Sequence, residues 1–185
     1  MKKTTIILFI GLFALACNEN KRKIGVQQMI TEWVGKTIQF PKGISCFSIN
    51  GDSLDYSCEN LLHKKYKILL PIDSSGCTDC RLKLFEWKRL IAEADTTLNA
   101  QLSFLFFFQP KNKSEIFFLL RSNQFDYPVF LDCNNEINQL NHFPTEEIYQ
   151  CFLLNQSNKV LMIGNPVLNS KVWELYKQTI SGVEK

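Results

Sequence analysis

The chemistry in this sequence is concentrated in residues 73–81, DSSGCTDCR, where Cys77 and Cys80 stand two residues apart. Thiols at that spacing can exchange electrons with a disulfide, one thiolate attacking and the other resolving the mixed disulfide. They can also supply half of a tetrahedral zinc site or close a structural bridge. A zinc site requires two further ligands, and a bridge across two residues closes almost no loop. Redox exchange is therefore the expectation, and neither a metal site nor a cofactor is assigned.

The flanking elements place the pair. Lys67 to Ile72 is a compact apolar run that reads as a buried strand. Arg81 to Ala94 sets Leu82, Phe85, Leu90 and Ile91 at helical spacing, with Lys83, Glu86, Lys88 and Arg89 for the wet side. A cysteine at a helix N-terminus faces unpaired backbone N–H groups and the positive end of the helix dipole, which stabilise a thiolate. Cys77 is thus the expected nucleophile and Cys80, one turn on, the resolving thiol. Asp79 adds negative charge beside them, and Arg81 and Lys83 add positive charge further along.

Around this unit the pattern alternates. "KTIQF" and "ISCFSI", separated by Pro41-Lys42-Gly43 and followed by the Asn50-Gly51 turn, suggest a small β-hairpin. Gln101 to Gln109 is an aromatic-rich run stopped by Pro110 and reads as a central strand. Lys113 to Ser122 is expected helical, Tyr127 to Asp132 a strand and Asn134 to Asn141 a short helix. Tyr149 to Leu154 and Lys159 to Ile163 form a hairpin, and Asn169 to Ile180 a closing amphipathic helix. The order implies an α/β domain, a mixed sheet with helices on both faces. A loop site in such a fold sits where a strand's carboxyl end feeds a helix, which is where Cys77 and Cys80 fall.

The chain begins with Met1-Lys2-Lys3, an apolar run from Ile6 to Ala16, and Cys17 after small residues. The run is shorter than the roughly 18 residues of a membrane-spanning helix and reads as an export signal. "LFALAC" resembles the bacterial lipoprotein signal, with Ala14 where that pattern has Leu, and the resemblance implies a lipidated Cys17. The division expected is a signal over 1–17, a polar tether over 18–30 and one domain over 31–185. Export leaves Cys46, Cys58, Cys77, Cys80, Cys133 and Cys151 where disulfides persist. Cys46 and Cys58 flank the Asn50-Gly51 turn and could bridge a hairpin, whereas Cys133 and Cys151 read as buried thiols in strands. Trp33, Trp87 and Trp173 read as packing residues.

The order of elements is similar to the thioredoxin fold, and to the membrane-tethered, TlpA-like thiol-disulfide oxidoreductases in particular. "WVGKTIQF", "YKILLPIDSSGCTDC", "YPVFLDCNNEINQLNHF" and "CFLLNQSNKVLMIG" carry the resemblance from about Glu32 to the C-terminus. It implies a thioredoxin-like mixed β-sheet flanked by helices, with an N-terminal β-hairpin and an inserted helix-strand unit. Gly76 stands where that family commonly has Trp, and Thr78-Asp79 replaces its usual Gly-Pro. Aligning "CFLLN" to the family's third core strand puts Tyr149 at the position of its cis-proline, with a trans Ile148–Tyr149 bond expected and Pro144 too early to substitute. Pro71 occupies the place of the family's buried acid, with Asp73 nearer the pair. Gly76, Thr78, Asp79, Ile148 and Tyr149 are the candidates for the substrate groove.

With 185 residues, 45% hydrophobic, and 21 basic against 18 acidic side chains, the chain can bury one core and offers no basic patch for nucleic acid. Expected partners are protein or small-molecule thiols and disulfides, an electron donor, and the membrane through the anchor, on the periplasmic side of a bacterial envelope. Two other classes stay open. One is a non-catalytic binding lipoprotein that keeps the fold, and the other a copper carrier using Cys77, Cys80 and His142.

Overall fold

The computed structural model describes residues 25–50, 53–55, 58–73 and 82–182. Residues 25–33 are helical (α1). The strands are β1 (Ser45–Asn50), β2 (Ser53–Asp55), β3 (Tyr66–Ile72), β4 (Leu102–Phe108), β5 (Val129–Leu131), β6 (Phe152–Leu154) and β7 (Val160–Ile163). The further helices are α2 (Leu84–Thr97), α3 (Lys113–Ser122), α4 (Glu136–Asn141) and α5 (Ser170–Ser181), with 3-10 turns at Glu59–His63 and Glu147–Tyr149. The strands form one mixed sheet in the order β2-β1-β5-β4-β3-β6-β7. β3, β4 and β5 are parallel, β1 joins β5 and β6 joins β3 antiparallel, and β7 pairs antiparallel with β6.

β4 reads LSFLFFF and is buried at every position. Because side chains alternate across a strand, one aromatic run supplies both cores. Phe104, Phe106 and Phe108 pack beneath α2, α3 and α5, with Trp87, Trp173 and Tyr176. Leu105 and Phe107 face the other way, toward Trp33 of α1 and Ile137 of α4. All three tryptophans are core residues, as expected. β5 is too short to reach Phe104, so the Tyr127 hydroxyl accepts that strand's N–H at 3.0 Å.

Several expectations shift. "KTIQF" does not pair with "ISCFSI"; the two lie at opposite edges of the sheet. The first runs beside β7, with Gly35 N–H to Val160 O, Ile38 N–H to Asn158 O and a single bridge at Thr37. It cannot extend because the Asn141 side chain takes both the N–H and the C=O of Gln39 at 2.8 Å. The hairpin at Asn50-Gly51 is instead β1 with β2. Of the segment read as a tether, residues 25–30 are helical, and Met29 packs against the core.

Cys46 and Cys58 are joined, with Cα atoms 6.2 Å apart, and tie the β1 edge to the turn before β3. Cys151 is buried but immediately precedes β6. Cys133 is an exposed free thiol two residues past β5, since the chain has left the sheet by then.

The bridge closes a loop with a sequence separation of 12, so a Cys46→Ala/Cys58→Ala variant is expected to lose about 2–3 kcal/mol in urea unfolding. Burial holds the Tyr127 phenol up at about 12 against an ordinary 10. The unfolded chain releases that proton near pH 10 while the native state keeps it, so stability is intact below pH 10 and falls as pH rises toward 12. The full loss is about 2–3 kcal/mol, measurable as a falling urea midpoint across that range.

Candidate functional site

The sheet dictates where β3 ends. β3 and β4 stay in register to the pair Ile72–Phe108, after which Gln109 N–H donates to Ile72 O and Asp132 N–H to Phe108 O, both at 2.8 Å. The carboxyl ends of the three parallel strands are therefore level, and Asp73 is the point at which the chain leaves the sheet toward Cys77. Pro71 fits within this strand for a directional reason. Tyr66 N–H bonds Gln101 O on the β4 side, so by alternation residues 67, 69 and 71 turn toward β6. β6 pairs only with Lys67 to Leu69, so the missing N–H of Pro71 removes no ladder bond.

Beyond that last pair, β3 and the segment leading into β6 enclose two clefts that share Pro71, Ile72, Asp73 and Gln150. The larger, about 410 Å³, has Phe107 and Ile137 in its wall and is rimmed by Gln109, Asn135, Asn138 and Thr145. The smaller, about 190 Å³, opens on the α2 and α5 face and is mainly apolar, with Leu70, Leu82, Trp87, Val167 and Leu168. One side of the end of β3 thus offers amide and hydroxyl hydrogen bonding, and the other a greasy slot.

Gly76, Cys77, Thr78, Asp79 and Cys80 lie outside the described residues, as does Cys17. The helix expected from Arg81 begins at Leu84, because Lys83 adopts a left-handed conformation (φ 49°) and accepts the N–H groups of Glu86 and Trp87. That break changes the buried face. Leu84, Trp87, Leu90, Ile91 and Ala94 point inward, while Phe85 is 75% exposed.

Of the expected groove residues that are described, Ile148 is half exposed and Tyr149 ends a 3-10 turn, and neither lines the two clefts. Gln150 occupies that place. Its Nε2 donates to Pro144 O at 2.6 Å and closes the loop from 144 to 150. The sequence signal for it was obscured by starting the strand at Tyr149, two residues before Cys151. No cis peptide occurs among the described residues, which includes the Ile148–Tyr149 bond. His142 caps the end of α4, is exposed, and lines neither cleft.

Asp132 and Cys151 lie close to the site without serving it. Asp132 is buried and spends both carboxylate oxygens on the N–H groups of Glu136 and Ile137, each at 2.8 Å, which starts α4 and fixes one wall of the larger cleft. Cys151, directly behind Gln150, is fully buried, and burial pushes its thiol up, so it is held protonated. The nearby Tyr176 hydroxyl donates to Gly164 O at 2.8 Å.

With this geometry in hand, comparison with solved structures places the architecture. AhpC from Mycobacterium bovis superposes with a TM-score of 0.58 at 14% identity, over 82% of this chain and 94% of that one. A thioredoxin-like protein from Bacteroides caccae gives 0.52 at 14% identity, over 90% of this chain and 56% of that one. The thioredoxin domain of a thiol-disulfide oxidoreductase from Bacteroides vulgatus gives 0.50 at 10% identity, over 77% and 97%. The fold is thioredoxin-like. At these identities the likeness is one of architecture, with a mixed sheet, helices on both faces and an N-terminal hairpin, as the order of elements implied. No family model and no curated protein matches the sequence. Among the described residues, no helix is long and apolar enough to cross a membrane.

Asp132→Ala should leave one buried and one part-buried N–H group without acceptors and cost about 2–4 kcal/mol in urea unfolding. Amide hydrogen exchange should localise the loss of protection to α4.

Proposed function

We propose that this chain is a membrane-tethered, TlpA-like thiol-disulfide oxidoreductase of the bacterial cell envelope, with Cys77 as nucleophile and Cys80 as resolving thiol. The observation that carries this reading is the position of the CxxC. It follows directly on the strand whose end opens on both clefts, in a thioredoxin-like sheet.

The Cys77 thiolate attacks one sulfur of a substrate disulfide. A mixed disulfide forms, the substrate S–S bond breaks, and the departing substrate thiolate takes a proton from solvent. The Cys80 thiolate then attacks Cys77, breaking the mixed disulfide and releasing the second substrate thiol. Two electrons have passed to the substrate, and the Cys77–Cys80 disulfide is restored to the dithiol by an envelope electron donor. Where the charge of Asp79 outweighs that of Arg81 and Lys83, the thiolate is less stabilised and the couple is a reducing one.

The paired clefts, and the exposed Ile148 and Leu168 beside them, favour polypeptide disulfides as substrates over small ones. Gly76, Thr78 and Asp79 would form the near edge of that groove, with Gln150 the residue opposite.

The test is insulin reduction by the purified chain. Cys77→Ser is expected to fall to the uncatalysed rate, and Cys80→Ser to accumulate a mixed disulfide with substrate visible as a mass adduct. The midpoint potential should be well below about −120 mV, the value of a strong oxidant. Full activity in Cys77→Ser would overturn the assignment, and a potential near that value would overturn the reductase direction.

A further inference from the structure

Helix α1 carries an apolar face that the domain does not cover. At roughly 100° per residue, Met29 and Trp33 point at the sheet, while Val26 and Ile30, and Val34 in the turn that follows with its N–H still on Ile30 O, recur at i, i+4 and i+8 on the adjoining arc. These three remain 39%, 48% and 45% exposed. Gln27, Gln28, Thr31 and Glu32 take the polar remainder. The apolar arc is therefore roughly 140° wide, and the core covers only its Met29–Trp33 side.

The chain leading into α1 indicates what covers the rest. Seven residues, 18–24, separate Cys17 from α1, and at full extension they span no more than about 25 Å. Three of them, Lys21, Arg22 and Lys23, are cations suited to anionic headgroups. We propose that α1 lies flat on the bilayer, with Val26, Ile30 and Val34 seated at the boundary between headgroups and acyl chains. The domain is then docked on the membrane rather than free at the end of a leash. This rests on the reading of Cys17 as a membrane anchor. Docking also sets the height of the site, because Trp33 stacks on Phe143 (ring centroids 5.7 Å apart) and Phe143 lines the larger cleft.

The test uses the full lipidated chain in vesicles of phosphatidylethanolamine and phosphatidylglycerol, with lipids brominated near the headgroup as quencher. The native tryptophans are buried and give a constant background. An Ile30→Trp variant is expected to lose about half of its added emission to the brominated lipid, and Val26→Trp to behave alike should Ile30→Trp disturb the fold. Leu175→Trp, on α5 across the sheet, should be unaffected. A chain that floats with the vesicles while Ile30→Trp and Val26→Trp stay unquenched overturns the docking and leaves the anchor standing. A chain that does not float overturns the anchor, and the docking with it.

Discussion

The structure depends on the burial of β4. Its alternating phenylalanines leave no solvated face, so both sides of the sheet must be covered, and the chain provides α2, α3 and α5 on one side and α1 and α4 on the other. A strand buried in this way needs its backbone paired along its whole length. β3 supplies seven partners on one edge, β5 three on the other, and the Tyr127 hydroxyl one more. Tyr127 thus extends a strand pairing as well as filling a core, and it is the burial that couples its ionisation to stability.

The same pairing positions the candidate site. Parallel strands in register end level, and the antiparallel β6 stops short of the end of β3. The difference leaves a gap at Pro71 to Asp73 that nothing in the sheet fills, and the two clefts are that gap seen from either face. A proline, usually excluded from an inner strand, is accommodated here because its ring faces the side on which pairing has ended.

Much of this was legible in the sequence. The strands around "KILLPI" and "LSFLFFF" were plain because long apolar runs bounded by polar turns admit few alternatives. Their alternation with helical segments gave the layer order. What misled were features set by single backbone conformations or long-range side-chain bonds. In "RLKLFEWKRLI", Leu90 and Ile91 can be joined to Leu82 and Phe85 on one helical face, or to Leu84 and Trp87 on another. Lys83 decides between them by adopting a left-handed conformation, which no periodicity reveals. "KTIQF" has strand propensity but is held irregular by Asn141, 102 residues away in sequence. Gln150 was passed over for Tyr149 because the start of β6 depends on how far β3 offers it a partner, a property of the sheet rather than of the segment.

The fold narrows the function only so far, since the superposable structures include AhpC and a thiol-disulfide oxidoreductase domain. What such a scaffold fixes is the place, a loop at the end of a central strand with a cleft on each side. What happens there is set by residues the scaffold does not dictate. In this chain the described residues at that place include Asp73 and an amide, Gln150, which line both clefts. Two groups near the clefts are already committed: Asp132 to the start of α4, and Cys151 to a sealed interior. With Asp132 and Cys151 spent, the open surface at the end of β3 is that of the two clefts on either side of Pro71.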